Sequence, residues 1–235
     1  MRTIIWFSFF WLNTFYTLFF LPKAKSLMKK GLISEKRLYI NLVARRWAKS
    51  LIDLTGSSFE IIGLENIPRD RTVIFAGNHQ GNFDIPILLA NIPVPISFVA
   101  KTELQRLPMV STWMKLMECV FIDRKDLRQS LRAISEAIEI LKGGQSMVIF
   151  PEGTRSKGKE MEPFKPGSLK LASRAGVPII PVTIIGSYKI LEANNNRVKP
   201  ANVKIIFSPA IETAETEKST DLTSMVQDII KENLK

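Results

Sequence analysis

One histidine, His79, and one cysteine, Cys119, stand in 235 residues. A single cysteine excludes an intramolecular disulfide, and without a second histidine there is no Cys/His cluster of the kind that holds zinc. Cys119 lies in the apolar run Cys119-Val120-Phe121-Ile122, which predicts a small buried hydrophobe rather than a nucleophile. No G-x-S-x-G elbow is present, so a serine hydrolase of that build is disfavoured. Internal repeats and low-complexity tracts are also missing. Charged residues make up 23% of the chain and hydrophobic residues 46%, a balance that suits a packed core rather than disorder. The length fits one α/β domain with an appendage and is small for two independent domains.

The net charge of +11 is unevenly spread. Between Pro22 and Ser50 stand Lys23, Lys25, Lys29, Lys30, Lys36, Arg37, Arg45, Arg46 and Lys49, against the single acid Glu35. This basic stretch follows Ile4–Leu21, an 18-residue run without charge. As a helix that run spans about 27 Å, just short of the roughly 30 Å hydrocarbon core of a bilayer. Basic residues beside an apolar segment mark contact with anionic lipid and a cytoplasmic flank, rather than nucleic acid. No small-residue cleavage site follows, so a signal peptide is a weak reading. A single span, or a half-inserted hairpin punctuated at Pro22, fits better. The stretch Ser26–Leu54 reads as a basic amphipathic helix, lying in the interface or packed on the domain. Residues 1–55 are therefore expected to form a membrane anchor and 56–235 an α/β domain at the cytoplasmic face of the plasma or inner membrane.

Beyond the anchor, apolar runs predict strands at Phe59–Ile62, Thr72–Ala76, Ile96–Ala100, Val120–Ile122, Ser146–Phe150, Ile179–Ile185 and Val203–Phe207. Helices are expected over Asp126–Leu141, with a stripe of Leu127, Leu131, Ile134, Ile138 and Leu141, over Gly167–Ala175, and over Ser219–Asn233. Alternating strands and helices imply a mostly parallel or mixed sheet covered on both faces.

In open α/β sheets ligands gather at the carboxyl ends of strands. After Thr72–Ala76 comes Asn78-His79-x4-Asp84. In a strand-loop-helix turn, with Asp84 near a helix start and Pro86 behind it, the carboxylate can hold one imidazole nitrogen and leave the other free to take a proton. His79 and Asp84 are thus the candidate base and its orienter, although H-x4-D alone is a weak signal. After Ser146–Phe150, the Pro151–Ser156 turn brings Arg155, and Lys165 follows, as candidate phosphate cations. Lys101 and the Asp123-Arg124 pair close two further strands. One base and several cations next to an anchor suggest an anionic lipid whose hydroxyl is to be deprotonated.

Taken in order, Asn78-His79-x4-Asp84, Phe121-Ile122-Asp123-Arg124, Phe150-Pro151-Glu152-Gly153-Thr154-Arg155-Ser156 and Val177-Pro178-Ile179-Ile180-Pro181-Val182 resemble the four blocks of the glycerolipid acyltransferases. The subgroup they most resemble is the bacterial 1-acylglycerol-3-phosphate acyltransferases. The resemblance runs from about Phe59 to Phe207. It implies an α/β fold, acyl transfer to a lysophosphatidic acid, and acyl-carrier protein or coenzyme A thioesters as donors. It implies His79 as base and Asp84 as its orienter. Arg124, Glu152, Gly153, Thr154 and Arg155 fall at substrate-binding positions, and Pro181 in a structural or acyl-related block. The phosphate role of Lys101 lies outside the blocks. One departure is visible: the family often carries glycine a few residues before the Phe-Ile-Asp-Arg run, where this chain has Glu118-Cys119.

The expected chemistry needs no metal and no cofactor beyond the donor thioester. Backbone N–H groups near Gly153 or over Asn78–Asn82 are candidate oxyanion donors. Rival readings are transfer to glycerol 3-phosphate or to another lysophospholipid and, from a different class, a non-catalytic binder of anionic membranes.

Overall fold

The computed structural model describes residues 1–123, 125–213 and 219–235. Seven strands run in chain order: β1 Ser58–Ile62, β2 Ile74–Gly77, β3 Ile96–Lys101, β4 Val120–Ile122, β5 Ser146–Ile149, β6 Ile179–Ile185 and β7 Asn202–Phe207. All seven expected strands are present, with ends shifted by one or two residues. They form one sheet in the order β1-β7-β6-β2-β5-β3-β4. Every neighbouring pair is parallel except β6 and β7. Central strands β2 and β5 are buried at every residue, as parallel strands covered on both faces must be.

Eight α-helices are described: α1 Arg2–Thr17, α2 Leu21–Lys29, α3 Ile33–Asp53, α4 Asp84–Asn91, α5 Val110–Leu116, α6 Leu127–Lys142, α7 Lys170–Ala175 and α8 Ser219–Asn233. Helices α3 and α4 share the core on one sheet face with Phe75 and Val148. Helices α6, α7 and α8 cover the other, around Ile74, Met147 and Ile149. Asp126 caps α6 by accepting the Gln129 N–H, and Gly176, at φ 68°, closes α7 in the left-handed conformation that glycine takes without strain.

Three expectations are corrected. Pro22 does not end the first helix: a 3-10 turn at Leu18–Phe20 leads into α2, whose first turn holds Pro22, where its missing N–H costs nothing. The chain reverses instead at Lys30–Leu32, through Gly31 at φ 70°, so Ser26–Leu54 is two helical pieces rather than one. The stripe on α6 is also rotated. Ala133, Ala137, Ile138 and Leu141 are buried, while Leu127 and Leu131 are exposed.

The N-terminal helices pack on the domain. Ile40, Val43, Ala44, Ala48, Leu51 and Ile52 of α3 belong to the same core as the sheet and α4. Helix α1 runs back along α3. Trp6 Nε1 donates to Leu51 O at 2.9 Å, Trp47 Nε1 to Thr14 Oγ1 at 3.1 Å, and Asn13 Nδ2 to Ser50 Oγ at 2.8 Å. The polar residues inside the apolar run, Asn13 and Thr14, therefore face α3. Ile4, Leu12, Phe15, Tyr16 and Phe19 are left exposed.

At the other end of α3, Lys36 and Arg37 grip Glu118, with Arg37 Nη2 at 2.6 Å, and Arg37 also donates to Gly143 O at 2.5 Å. Burial pushes the Glu118 carboxyl up, but the hydrogen bonds from Arg37 and Lys36 outweigh it and hold the group below its ordinary value. Glu118 sits at φ 61°. Glu118, one of the two residues at the departure noted before the Phe-Ile-Asp-Arg run, thus adopts a backbone conformation glycine favours, and its side chain ties α3 to the domain.

Candidate active site

Strand β2 ends at Gly77 in the middle of the sheet, and the turn that follows carries His79. Asn78 continues the sheet with its side chain. Its Nδ2 donates to Ile184 O at 2.9 Å and its Oδ1 accepts the Ile184 N–H at 2.7 Å. The next residue is thereby fixed at the edge where β5 and β6 also end.

His79 Nδ1 lies 2.6 Å from Asp84 Oδ2. The same oxygen accepts the N–H groups of Gln80 and Gly81 at 2.7 and 3.0 Å. Asp84 is fully buried and is the first residue of α4 rather than the residue before it. A carboxylate in this position accepts only, so Nδ1 carries the proton and Nε2 is left to take another. The imidazole stacks on Phe150, with ring centres 4.0 Å apart and planes 15° from parallel. One face of the base is packed and its edge faces a cavity.

The loop after β5 is laced to this turn. Ser156 N–H donates to His79 O at 2.8 Å and Lys157 N–H to Gln80 O at 3.0 Å. Glu152 is buried. Its Oε1 accepts the His79 N–H at 2.5 Å and its Oε2 the Glu162 N–H at 2.9 Å. Burial pushes its carboxyl above the ordinary value, and the two backbone bonds pull only part of the way back. Gly153 takes φ 73°, a left-handed turn that swings Thr154 and Arg155 out to the cavity. Arg155 Nη1 donates to Asn82 Oδ1.

One continuous cavity of about 1060 Å³ opens here, lined by His79, Gly153, Thr154, Arg155, Lys101 and Lys165. It runs along α3 and α1 past Thr14, Val43 and Trp47, and deepens against Phe98, Met114, Met117 and Cys119. Across the sheet edge it meets Leu127, Leu131 and Ile134, which accounts for the exposure of that part of α6. The walls are thus apolar and the rim around His79 cationic, with Lys157, Lys170 and Arg174 adding to the charge. Such a lining can take a long apolar chain that carries an anionic head.

The structure brings His79, Asp84, Lys101, Gly153, Thr154 and Arg155 together as expected. Arg124 lies outside the described residues. Glu152 holds backbone and does not line the cavity. Four N–H groups of the Asn78–Asn82 turn are spoken for and are not free oxyanion donors. The His79 N–H goes to Glu152, those of Gln80 and Gly81 to Asp84, and that of Asn82 to Glu192. The Gly153 N–H donates to Phe150 O. Phe150 was given no role in the sequence although it opens the third block; an aromatic at a strand end, level with the histidine at the end of the neighbouring strand, was its only signal.

Against known proteins, the profile of the Acyltransferase family matches residues 58–185. A probable 1-acyl-sn-glycerol-3-phosphate acyltransferase of Mycoplasma pneumoniae is 38% identical over 67% of this chain and 63% of its own length. A 1-acyl-sn-glycerol-3-phosphate acyltransferase of Borreliella burgdorferi is 33% identical over 82% of this chain and 78% of its own. The chain therefore spans a little under two thirds of the Mycoplasma relative. The crystal structure of the 1-acyl-sn-glycerophosphate (LPA) acyltransferase PlsC from Thermotoga maritima superposes with a TM-score of 0.88 at 30% identity, covering 99% of this chain and 92% of that one.

Proposed function

This chain belongs to the acyltransferase family, and on that premise we propose that it moves a fatty acyl group from a thioester to the sn-2 hydroxyl of 1-acylglycerol 3-phosphate, giving phosphatidic acid. The observation that carries this reading is the cavity's make-up: a base held by Asp84 between an apolar groove and a rim of cations. His79 Nε2 takes the proton as the hydroxyl oxygen attacks the thioester carbonyl. The tetrahedral oxyanion collapses with cleavage of the C–S bond, and the imidazolium, stabilised by Asp84, returns its proton to the departing thiolate. Arg155, with Lys101 lining the same cavity, pairs with the acceptor's phosphate. Arg124 is proposed for the same anion.

The donor is an acyl thioester of acyl-carrier protein or coenzyme A, and an acidic donor of either kind suits the cationic rim. The exposed apolar face of α1 supports membrane association, and the basic stretch beside it favours the cytoplasmic face.

Acyl transfer in liposomes to lysophosphatidic acid and to glycerol 3-phosphate, side by side, tests the reading. His79→Ala is expected to lower kcat by about 10²–10⁴, the usual worth of general base catalysis. Arg155→Ala is expected to act mainly on the KM of the phosphorylated acceptor. Near-normal turnover by His79→Ala rules out this mechanism, and transfer only to glycerol 3-phosphate moves the enzyme to the preceding acylation.

A further inference from the structure

Immediately beyond the residues that match the family lies a segment to which no role is attached, Gly186–Glu192. It leaves β6 through Gly186, at φ 87° and so close to Asn202 O that a Cβ there would lie 2.6 Å from it. Two 3-10 turns follow, Ser187–Ile190 and Glu192–Asn194. Each of its first residues meets the catalytic turn from behind. The Gly186 N–H donates to Gln80 Oε1 at 2.8 Å. The Ser187 hydroxyl donates to Asp84 Oδ1. Glu192 Oε1 accepts the Asn82 N–H at 2.7 Å, while its Oε2 is buried against Gly81 without a hydrogen-bond partner. The Tyr188 ring fills the space over Gly158, where a Cβ would come within 2.2 Å of it.

The two carboxylate oxygens of Asp84 are unequally served. Oδ2 takes His79 Nδ1–H and two backbone N–H groups. For Oδ1 the bond in hand is the one from Ser187, and both residues are fully buried, so water does not replace it. Ser187 therefore sets the rotation of the carboxylate that holds the base. Glu192 acts on the neighbouring group. It fixes the backbone of Asn82, whose side chain in turn receives Arg155.

We propose that Gly186–Glu192 is a positioning segment for the transfer reaction, with Ser187 orienting the His79–Asp84 pair and Glu192, through Asn82, setting Arg155 for the phosphate. The two residues act on different steps, so their substitution separates kinetically. This rests on the acyltransferase reading, but its test also has a readout that needs no turnover. His79 is the only histidine, so ¹⁵N-histidine labelling of the full chain in detergent gives the ring signals of the base alone.

Ser187→Ala is expected to lower kcat about tenfold, the effect of stranding one buried acceptor, with the KM for lysophosphatidic acid changed by less than about twofold. The ring nitrogens should move from a single Nδ1-protonated form toward an average of both tautomers. Glu192→Ala is expected to raise that KM about tenfold with kcat held, and to leave the ring signals in place. Glu192→Gln, which keeps an acceptor for the Asn82 N–H, should restore it. Where Ser187→Ala does not fold, the isosteric but weakly donating Ser187→Cys takes its place. Unchanged ring signals together with unchanged kcat in the Ser187 variant overturn the proposal. So does a parallel fall of kcat and rise of KM in both variants, which would mark the segment as packing only. Should the wild type transfer no acyl group, the reaction reading fails, and the ring signals still decide the role of Ser187.

Discussion

Both oxygens of Glu152 are taken by backbone N–H groups, one of them that of His79. Glu152→Ala takes the acceptor from two part-buried backbone donors, at a cost of about 0.5–1.5 kcal/mol each, and lets the His79 turn relax. Falls in both unfolding temperature and kcat are expected, with little change in acceptor KM. A variant that lost only acceptor affinity would return Glu152 to direct substrate contact. Cys119 offers a second residue-scale check. It is buried against the cavity wall, and desolvation by burial pushes its thiol up to about 12. At pH 8 a maleimide is therefore expected to react only as fast as the protein opens, and fast labelling of the folded protein would contradict the burial. His79, Asp84 and Arg155 were legible because each sits in a short run after an apolar strand. Ser187 was not. Its partner Asp84 is 103 positions away, and only the pairing of β6 with β2 brings them together. A lone serine after a strand carries no signal of that.

At the scale of elements, strands were easier to read than the N-terminal helices. Runs such as Ser146–Ile149 are apolar at nearly every position, which short length and flanking turn residues identify as buried strand. Pro22 misled because proline breaks a helix interior but suits a first turn, and an intervening 3-10 turn decides which it is. The stripe on α6 misled because leucines that line a cavity and leucines that pack on a sheet have the same spacing. The joint between α3 and Glu118 makes a pH prediction. Glu118 is held below its ordinary value, so the stability it contributes is present above the ordinary carboxylate range and is lost as pH falls through its lowered folded value. Glu118→Gly relieves the backbone strain at φ 61° yet removes both cation contacts. Net destabilisation is expected, with much of the acid sensitivity in urea-unfolding midpoints removed. A more stable glycine variant would mean that the ion pairs contribute less than the strain costs.

Seen whole, the molecule is a sheet whose His79-bearing edge opens into a groove running along the N-terminal helices. On the proposed function, chain-length preference is expected to follow how far the groove stays open beyond His79. Ile134→Trp, on the α6 wall, is expected to shift preference toward shorter acyl groups at little cost to kcat on the favoured one. Donor competition in one vessel measures this, and an unchanged product profile would exclude that wall from selectivity. The fold class and the strands from β1 onward were legible, because strand patterning does not depend on the N-terminal helices. The anchor's own arrangement was not, since apolar surface facing lipid and apolar surface facing protein look alike in sequence.

Arg2 Nη1 reaches Thr55 O at 3.4 Å and the Val198 N–H donates to Thr3 Oγ1 at 3.1 Å. At the far end of the hairpin, Lys36 and Arg37 reach Glu118. A rod moored to one body at both tips cannot have its tips in two compartments while that body stays folded. The apolar helix is therefore expected to lie along a single leaflet as a float rather than to thread the bilayer. An impermeant thiol reagent should reach Arg2→Cys and Lys30→Cys from the same side of a sealed vesicle, with Cys119 silent in both. Labelling from opposite sides would mean that the moorings come undone in the membrane.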